Sequence, residues 1–207
     1  MWLRAVVRRF KPPDSGLATL ATLAALGRTP DEVALLARAL AALDARCALG
    51  PRIAAEPHLG EIIEEFVTRL QRSFGSLAGV AGKRILDLAC GSNSSRSPVT
   101  GRRTAQFEPW MCRLLAELGA EPVGVDLGDL DGELFQHYAL DLGSPGALDV
   151  LPTASFDAVQ DSRLFGSPEF REMHGAAEAD RVRREISRQE RRLLKPDGIL
   201  IHSDIEG

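Results

Sequence analysis

The apolar positions of this chain change period part-way along it. From residue 14 to about residue 80 they recur every third or fourth position, the spacing that lines one face of a helix. Ser15 caps a run of Leu17, Leu20, Leu23 and Leu26 that Gly27 closes. Thr29-Pro30-Asp31-Glu32 is a helix start signal: a hydroxyl cap, proline at the first helical position and acids in the first turn. Val33, Leu36, Leu40 and Leu43 follow at helical spacing until Gly50-Pro51 breaks the pattern. Another helix is predicted from near Pro57 to Phe74, with Leu59, Ile62, Ile63, Phe66, Val67 and Leu70 on one side. Gly75 to Gly82 reads as a linker.

Beyond that linker the runs shorten and become strand-like. Lys83 to Asn93 reads KRILDLACGSN, apolar residues entering a small-residue loop, which is how a buried parallel strand ends beside a ligand. The loop is small because its backbone must approach the ligand closely. Pro109 starts a helix over Trp110 to Leu118, and GAEPVGVDLGD gives a second strand ending in Asp126. HYALDLGSPG carries Asp141 near the end of a third, and Phe156 to Val159 form a fourth, with Gln160, Asp161, Ser162 and Arg163 at its carboxyl end. A charged helix from Glu178 to Leu194 turns Val182, Ile186, Leu193 and Leu194 to the sheet. Lys195-Pro196-Asp197-Gly198 is a turn, and Ile199-Leu200-Ile201 begins the last strand. Strands alternating with helices predict an α/β fold with a doubly wound, mainly parallel sheet.

Composition narrows the function. A 207-residue chain can form one domain with a sizeable core, or one core with a helical extension. Its 44% hydrophobic content and net charge of −4 describe a soluble globular protein without the concentrated basic surface of a nucleic-acid binder. No apolar run is long enough to span a bilayer, so no membrane insertion is expected. Cys47, Cys90 and Cys112 are odd in number and far apart, which gives no disulfide framework and favours a reducing cytoplasm. No metal site is expected. The N-terminal MWLRAVVRRFKPPD is a short basic amphipathic stretch. It reads as a first element packed on the domain, with a membrane-surface, docking or targeting role as the alternative.

The loop Asp87-Leu88-Ala89-Cys90-Gly91-Ser92-Asn93 resembles the first motif of class I S-adenosylmethionine (SAM)-dependent methyltransferases, an acid followed by alternate glycines. Asp87 and Gly91 match it, while Ala89 and Asn93 stand where the family has glycine. The strand ends at Asp126, Asp141 and Asp161 and the Leu194-to-Gly198 turn follow in the family's order, so the resemblance covers about Ala81 to Gly207. It implies a 3-2-1-4-5 sheet. It also implies two units, residues 1–80 as an N-terminal helical extension or lid and residues 81–207 as the SAM-binding domain. The cofactor would lie among Asp87, Ala89, Cys90, Gly91, Ser92, Asn93, Asp126, Leu127, Asp141, Leu142 and Gln160. Asp126 would hold the ribose hydroxyls, Asp141 the adenine amine and Leu142 would donate its N–H.

The implied activity is in-line methyl transfer from SAM to the oxygen or nitrogen, less readily the carbon, of a small molecule. His174 and Asp161 are the candidate catalytic groups, although an activated methyl donor held in line needs no base. Bland readings stand beside these. Asp126 could be a helix cap, Asp141 a turn acid before Gly143-Ser144-Pro145-Gly146, and His174 a surface residue. Arg96, Arg102 and Arg103, in an unusually long connection, read either as a flap closing on an anionic group or as a solvated loop. The N-terminal helices read as a pocket lid or as a cover for one flank.

The family's closing antiparallel hairpin has no counterpart before Gly207, which would bare the edge of the last strand. The N-terminal segment around Val6-Val7, a second subunit in a homodimer, or further chain could cover it. From that absence and the two missing glycines follows a second expectation, a catalytically silent binding or scaffold subunit with a protein partner. A nicotinamide dehydrogenase is disfavoured, because ACGSNS does not supply Gly-x-Gly-x-x-Gly.

Overall fold

The computed structural model describes Thr22 and residues 27–94, 96, 101–161, 164–165 and 168–202. The expected amphipathic N-terminal stretch and most of the Ser15–Gly27 helix lie outside the described residues. Helix α1 spans Pro30–Cys47. Its start is the signal read from sequence: the Thr29 hydroxyl accepts the Glu32 N–H, and the Glu32 carboxylate accepts the Thr29 N–H at 3.2 Å.

The break after α1 comes at Ala48 (φ 52°), earlier than Gly50-Pro51 suggests. Helix α2, Leu49–Ala55, follows at once and takes Pro51 into its first turn, where a missing N–H leaves no bond unmade. Helix α3, Pro57–Phe74, has proline at its start and ends at left-handed Gly75. The predicted linker is a 3-10 turn, Leu77–Val80, with both end residues buried. It is part of the core.

Five parallel strands follow: β1 Arg84–Leu88, β2 Glu121–Asp126, β3 Gln136–Ala139, β4 Phe156–Asp161 and β5 Leu194–His202. Their order is β3-β2-β1-β4-β5, the 3-2-1-4-5 arrangement expected from the sequence. The strand ends align across the sheet, with Leu88 opposite Val125 on one side and Asp161 on the other. Helix α4, Trp110–Glu117, connects β1 to β2.

Helix α5, Pro168–Leu193, connects β4 to β5 and is interrupted at Gly175 (φ 67°, ψ 162°), a conformation open to glycine. It therefore begins earlier than Glu178, and the polar stretch carrying His174 is helical. The predicted Lys195–Gly198 turn is a bulge inside β5, because Leu194 pairs with Phe156 while Ile199 already pairs with Ala158. Lys195 Nζ reaches back to Asp157 at 2.8 Å. Among the described residues, β5 pairs with β4 alone.

Alternation along the strands assigns the two faces of the sheet. Ile85, Ala158 and Ile201 join one cluster with Leu36, Leu40, Phe66, Leu70, Trp110 and Leu114. Leu86, Leu88 and Val159 join another with Val182, Ile186 and Leu193 of α5. Helices α1 to α3 thus share one hydrophobic core with a face of the sheet. Each fully buried leucine in it contributes about 1.5–3 kcal/mol of transfer free energy.

Candidate functional site

The site is built where β1 and β2 end side by side. Ala89 sits at φ 55°, the left-handed conformation that a glycine would adopt without strain. Gly91 sits at φ 90°, and a Cβ on it would lie 2.3 Å from the Phe107 carbonyl oxygen and 2.9 Å from that of Glu108. Only glycine fits there. Ser92 N–H donates to the same Phe107 carbonyl at 2.9 Å. The loop after β1 therefore lies directly on the segment that precedes α4.

Asp126 ties this loop to the second strand. Its Oδ2 accepts the Gly91 N–H at 2.9 Å and its Oδ1 accepts the Gly128 N–H at 2.9 Å. Each carboxylate oxygen retains a further lone pair, so the group can still receive hydroxyls from a ligand. Two more bonds stitch the loops: Asn93 N–H to the Asp129 carbonyl at 2.8 Å, and Asp129 N–H to Ser94 Oγ at 2.9 Å. Gly128 gives room for Ser92, whose Oγ would be 2.1 Å from any Cβ there. Leu127, beside Asp126, is 60% exposed and offers an apolar surface next to the carboxylate.

The other predicted cofactor residues spread outward from this point. Asp87 is fully buried within β1, beside Gln160 of β4 in register, and accepts the Cys112 thiol at 3.7 Å. Cys90 and Cys112 are both buried next to Gly124. Burial pushes the Cys112 thiol well above its ordinary pKa. The contact with Cys112 draws the Cys90 thiol down, but burial and the Asp87 and Asp126 charges raise it overall. Neither is a poised nucleophile. Asp141 folds its own turn, accepting the Gly143 N–H at 2.8 Å and the Ser144 hydroxyl at 2.9 Å, and Leu142 is half-buried against the α5-side core.

Asp161 is buried at the end of β4, across from Glu190 of α5. Glu190 is fully buried with neither carboxylate oxygen hydrogen-bonded, and burial together with the Asp161 charge raises its pKa to about 7. Ser162, Arg163 and the His174 side chain lie outside the described residues. Arg96 and Arg103 form an antiparallel bridge, and Arg96, Arg102 and Arg103 are all exposed. No group of three or more His, Cys, Asp or Glu side chains able to hold a metal occurs among the described residues. Nor is any helix among them long and apolar enough to cross a membrane.

Sequence reasoning missed the charged cluster that supports the loop. Arg113 of α4 is buried and donates to Glu108 at 2.9 Å, to Glu133 at 2.6 Å and to Asn93 Oδ1 at 2.8 Å. Asn93 in turn donates to Glu133 at 2.9 Å. Arg52 of α2 pairs with the other oxygen of Glu108. Both guanidinium groups lie over the Trp110 ring, Arg52 at 5.6 Å and Arg113 at 4.7 Å from its centroid. Burial works against the charges, but the Arg113 and Asn93 contacts hold the Glu133 carboxyl below its ordinary pKa. The signal was present: an arginine inside Trp110-Met111-Cys112-Arg113-Leu114-Leu115 is a lone charge in an otherwise apolar run and requires a buried partner.

Comparison with known proteins adds little to this geometry. No family model matches the chain, and no curated protein matches its sequence. A crystal structure of the trans-methyltransferase CalH in complex with SAH is similar over 97% of this chain and 61% of that one, with 15% identity and a TM-score of 0.36. The chain thus spans about three fifths of the length of that protein. Its fold class is defined by its own sheet: five parallel strands in the 3-2-1-4-5 order.

Proposed function

We propose that this chain binds SAM between the loop after β1 and the end of β2, and that it is a methyltransferase acting on an oxygen or nitrogen of a small molecule. The observation that carries the reading is the Asp126 carboxylate at the end of β2, joined to the N–H of Gly91 at 2.9 Å. In a doubly wound sheet a strand-end acid beside a glycine loop is placed to receive both hydroxyls of a ribose. The exposed Leu127 alongside it suits one face of a base. The residues present therefore fit the cofactor.

Bound SAM would supply a strongly activated methyl group. The chain's part is to hold the donor at Ala89 to Asn93 and Asp126 and to present an acceptor at the end of β4. Asp161, with Gln160 before it, and the helix carrying His174 are the candidates on the acceptor side. Arg96, Arg102 and Arg103 would favour an acceptor bearing an anionic group. Three free cysteines agree with a cytoplasmic location.

Calorimetric titration with S-adenosylhomocysteine tests the reading. Micromolar binding by the purified chain, weakened at least tenfold by Asp126→Ala, is expected; unchanged binding by that variant would remove Asp126 from the site. A silent scaffold subunit is the second reading. It is favoured by the internal engagement of both expected ligand carboxylates, Asp126 with two backbone N–H groups and Asp141 with its own turn. Methyl transfer by the chain alone would refute it.

A further inference from the structure

The loop after β1 rests on a short segment, Thr104–Glu108, and that segment is fastened to the N-terminal helices at two points. The first is Glu56, at the junction of α2 and α3. Its carboxylate accepts the Thr104 hydroxyl at 2.6 Å, the Ala105 N–H at 2.9 Å and the Gln106 N–H at 3.4 Å. The second is Arg52, one helical turn earlier, which pairs with Glu108 and donates through Nε to the Cys47 carbonyl at 3.0 Å. Between these points Phe107 presents its carbonyl to the Ser92 N–H, and no side chain at position 91 could pass it.

A chain of direct bonds therefore runs from Glu56 through the 3-10 turn Ala105–Phe107 to the backbone of the loop. Burial works against the charge of Glu56, but its three donors and the neighbouring Arg52 outweigh it and hold the carboxyl below its ordinary pKa. It is an anion at neutral pH. A carboxylate gathering two successive backbone N–H groups fixes the start of the turn as a helix cap does.

From this geometry we infer that Glu56 is a positioning residue for the cofactor loop, and that helices α2 and α3 set SAM affinity by clamping the Thr104–Glu108 segment under Gly91 and Ser92. The inference rests on the SAM-binding reading for its ligand, though not for the clamp itself. The N-terminal helices then act on the cofactor from behind the loop, through the backbone. Their influence does not depend on closing over a substrate.

The experiment combines amide exchange at Ser92 with titration of S-adenosylhomocysteine, on wild type, Glu56→Ala and Glu56→Gln. Removing the carboxylate is expected to speed Ser92 exchange and weaken the ligand, each about tenfold, the factor that accompanies loss of roughly one charge-assisted hydrogen bond. Glu56→Gln keeps one acceptor oxygen and is expected to recover part of both. A folded Glu56→Ala chain with Ser92 exchange and affinity within about twofold of wild type would overturn the inference. If that variant does not fold, Thr104→Val removes one donor from the other side, and a change of about threefold in the same two measurements supports the clamp while none refutes it. If wild type fails to bind the ligand, the cofactor reading falls, and Ser92 exchange alone decides whether the clamp exists.

Discussion

Asp126 and Gly91 are joined by a hydrogen bond of 2.9 Å between a strand-end carboxylate and a loop N–H. This one contact makes the acid part of the loop's architecture as well as the ligand group proposed above. Replacing Asp126 by alanine leaves the Gly91 and Gly128 amides without their acceptor. The expected cost is about 1–3 kcal/mol in urea unfolding, in addition to the weakened binding. Loss of affinity without loss of stability would mean that the loop is held by its other bonds.

Positions 89 and 91 should respond oppositely to the exchange of alanine and glycine. Ala89 carries left-handed strain at φ 55°, so Ala89→Gly is expected to be neutral or to stabilise by about 0.5 kcal/mol after the added backbone entropy. Gly91→Ala drives a methyl group into two carbonyl oxygens and should cost about 3 kcal/mol, measured as the shift in denaturant midpoint.

Arg113 pairs at once with two carboxylates, buried Glu108 and half-buried Glu133. Arg113→Leu leaves Glu108 to Arg52 and Glu133 to the Asn93 amide, and about 3 kcal/mol of destabilisation is expected in chemical unfolding. Because the Glu133 carboxyl is held below its ordinary pKa, its contribution is present at neutral pH and is lost as pH falls below the unfolded value of 4.5. Glu133→Gln should therefore flatten the acid side of the stability profile.

Glu190 behaves in the opposite sense. Its pKa is raised from 4.5 to about 7 by burial and by Asp161, with Arg191 on its own helix offsetting a little. The stability tied to its protonated form is complete below pH 4.5 and is lost as pH rises through 7. Glu190→Gln should leave stability unchanged near pH 4 and raise it by about 3 kcal/mol near pH 9. Parallel profiles for wild type and variant would show that Glu190 finds a partner in solution.

Local signals in the sequence were sufficient for most of the fold. Thr29-Pro30-Asp31-Glu32 is a complete capping instruction, and α1 starts there. The strand end at Asp126 followed from an apolar run meeting polar residues, whereas β4 runs on past the predicted Val159 to Asp161. Gly50-Pro51 misled because proline is harmless in a first turn, so the chain broke at Ala48 instead.

At the site, the sequence pointed to Asp126 and Gly91, which the structure joins, but not to the residues that hold the loop around them. Asp126 and Gly91 were legible because strand end and small-residue loop are neighbours in the pattern. Glu108 and Arg113 are five residues apart, but their other partners lie 20 to 56 positions away, as in Arg113 with Glu133 and Arg52 with Glu108. No periodicity carries such pairings. Asn93 illustrates the gap: it departs from the motif, and the structure shows its side chain spent on Arg113 and Glu133.

The core shared by α1, α3 and the sheet has a consequence for how the chain is made. Leu36, Leu40, Phe66 and Leu70 leave the ribosome well before Ala158 and Ile201, which complete the surface they pack against. Central β1 likewise waits for β4 before its second edge is paired. During synthesis the helices travel with an uncovered apolar flank, and these distant pairings make the folding slow for its size. The newborn chain is thus expected to need a chaperone's shelter until β5 emerges.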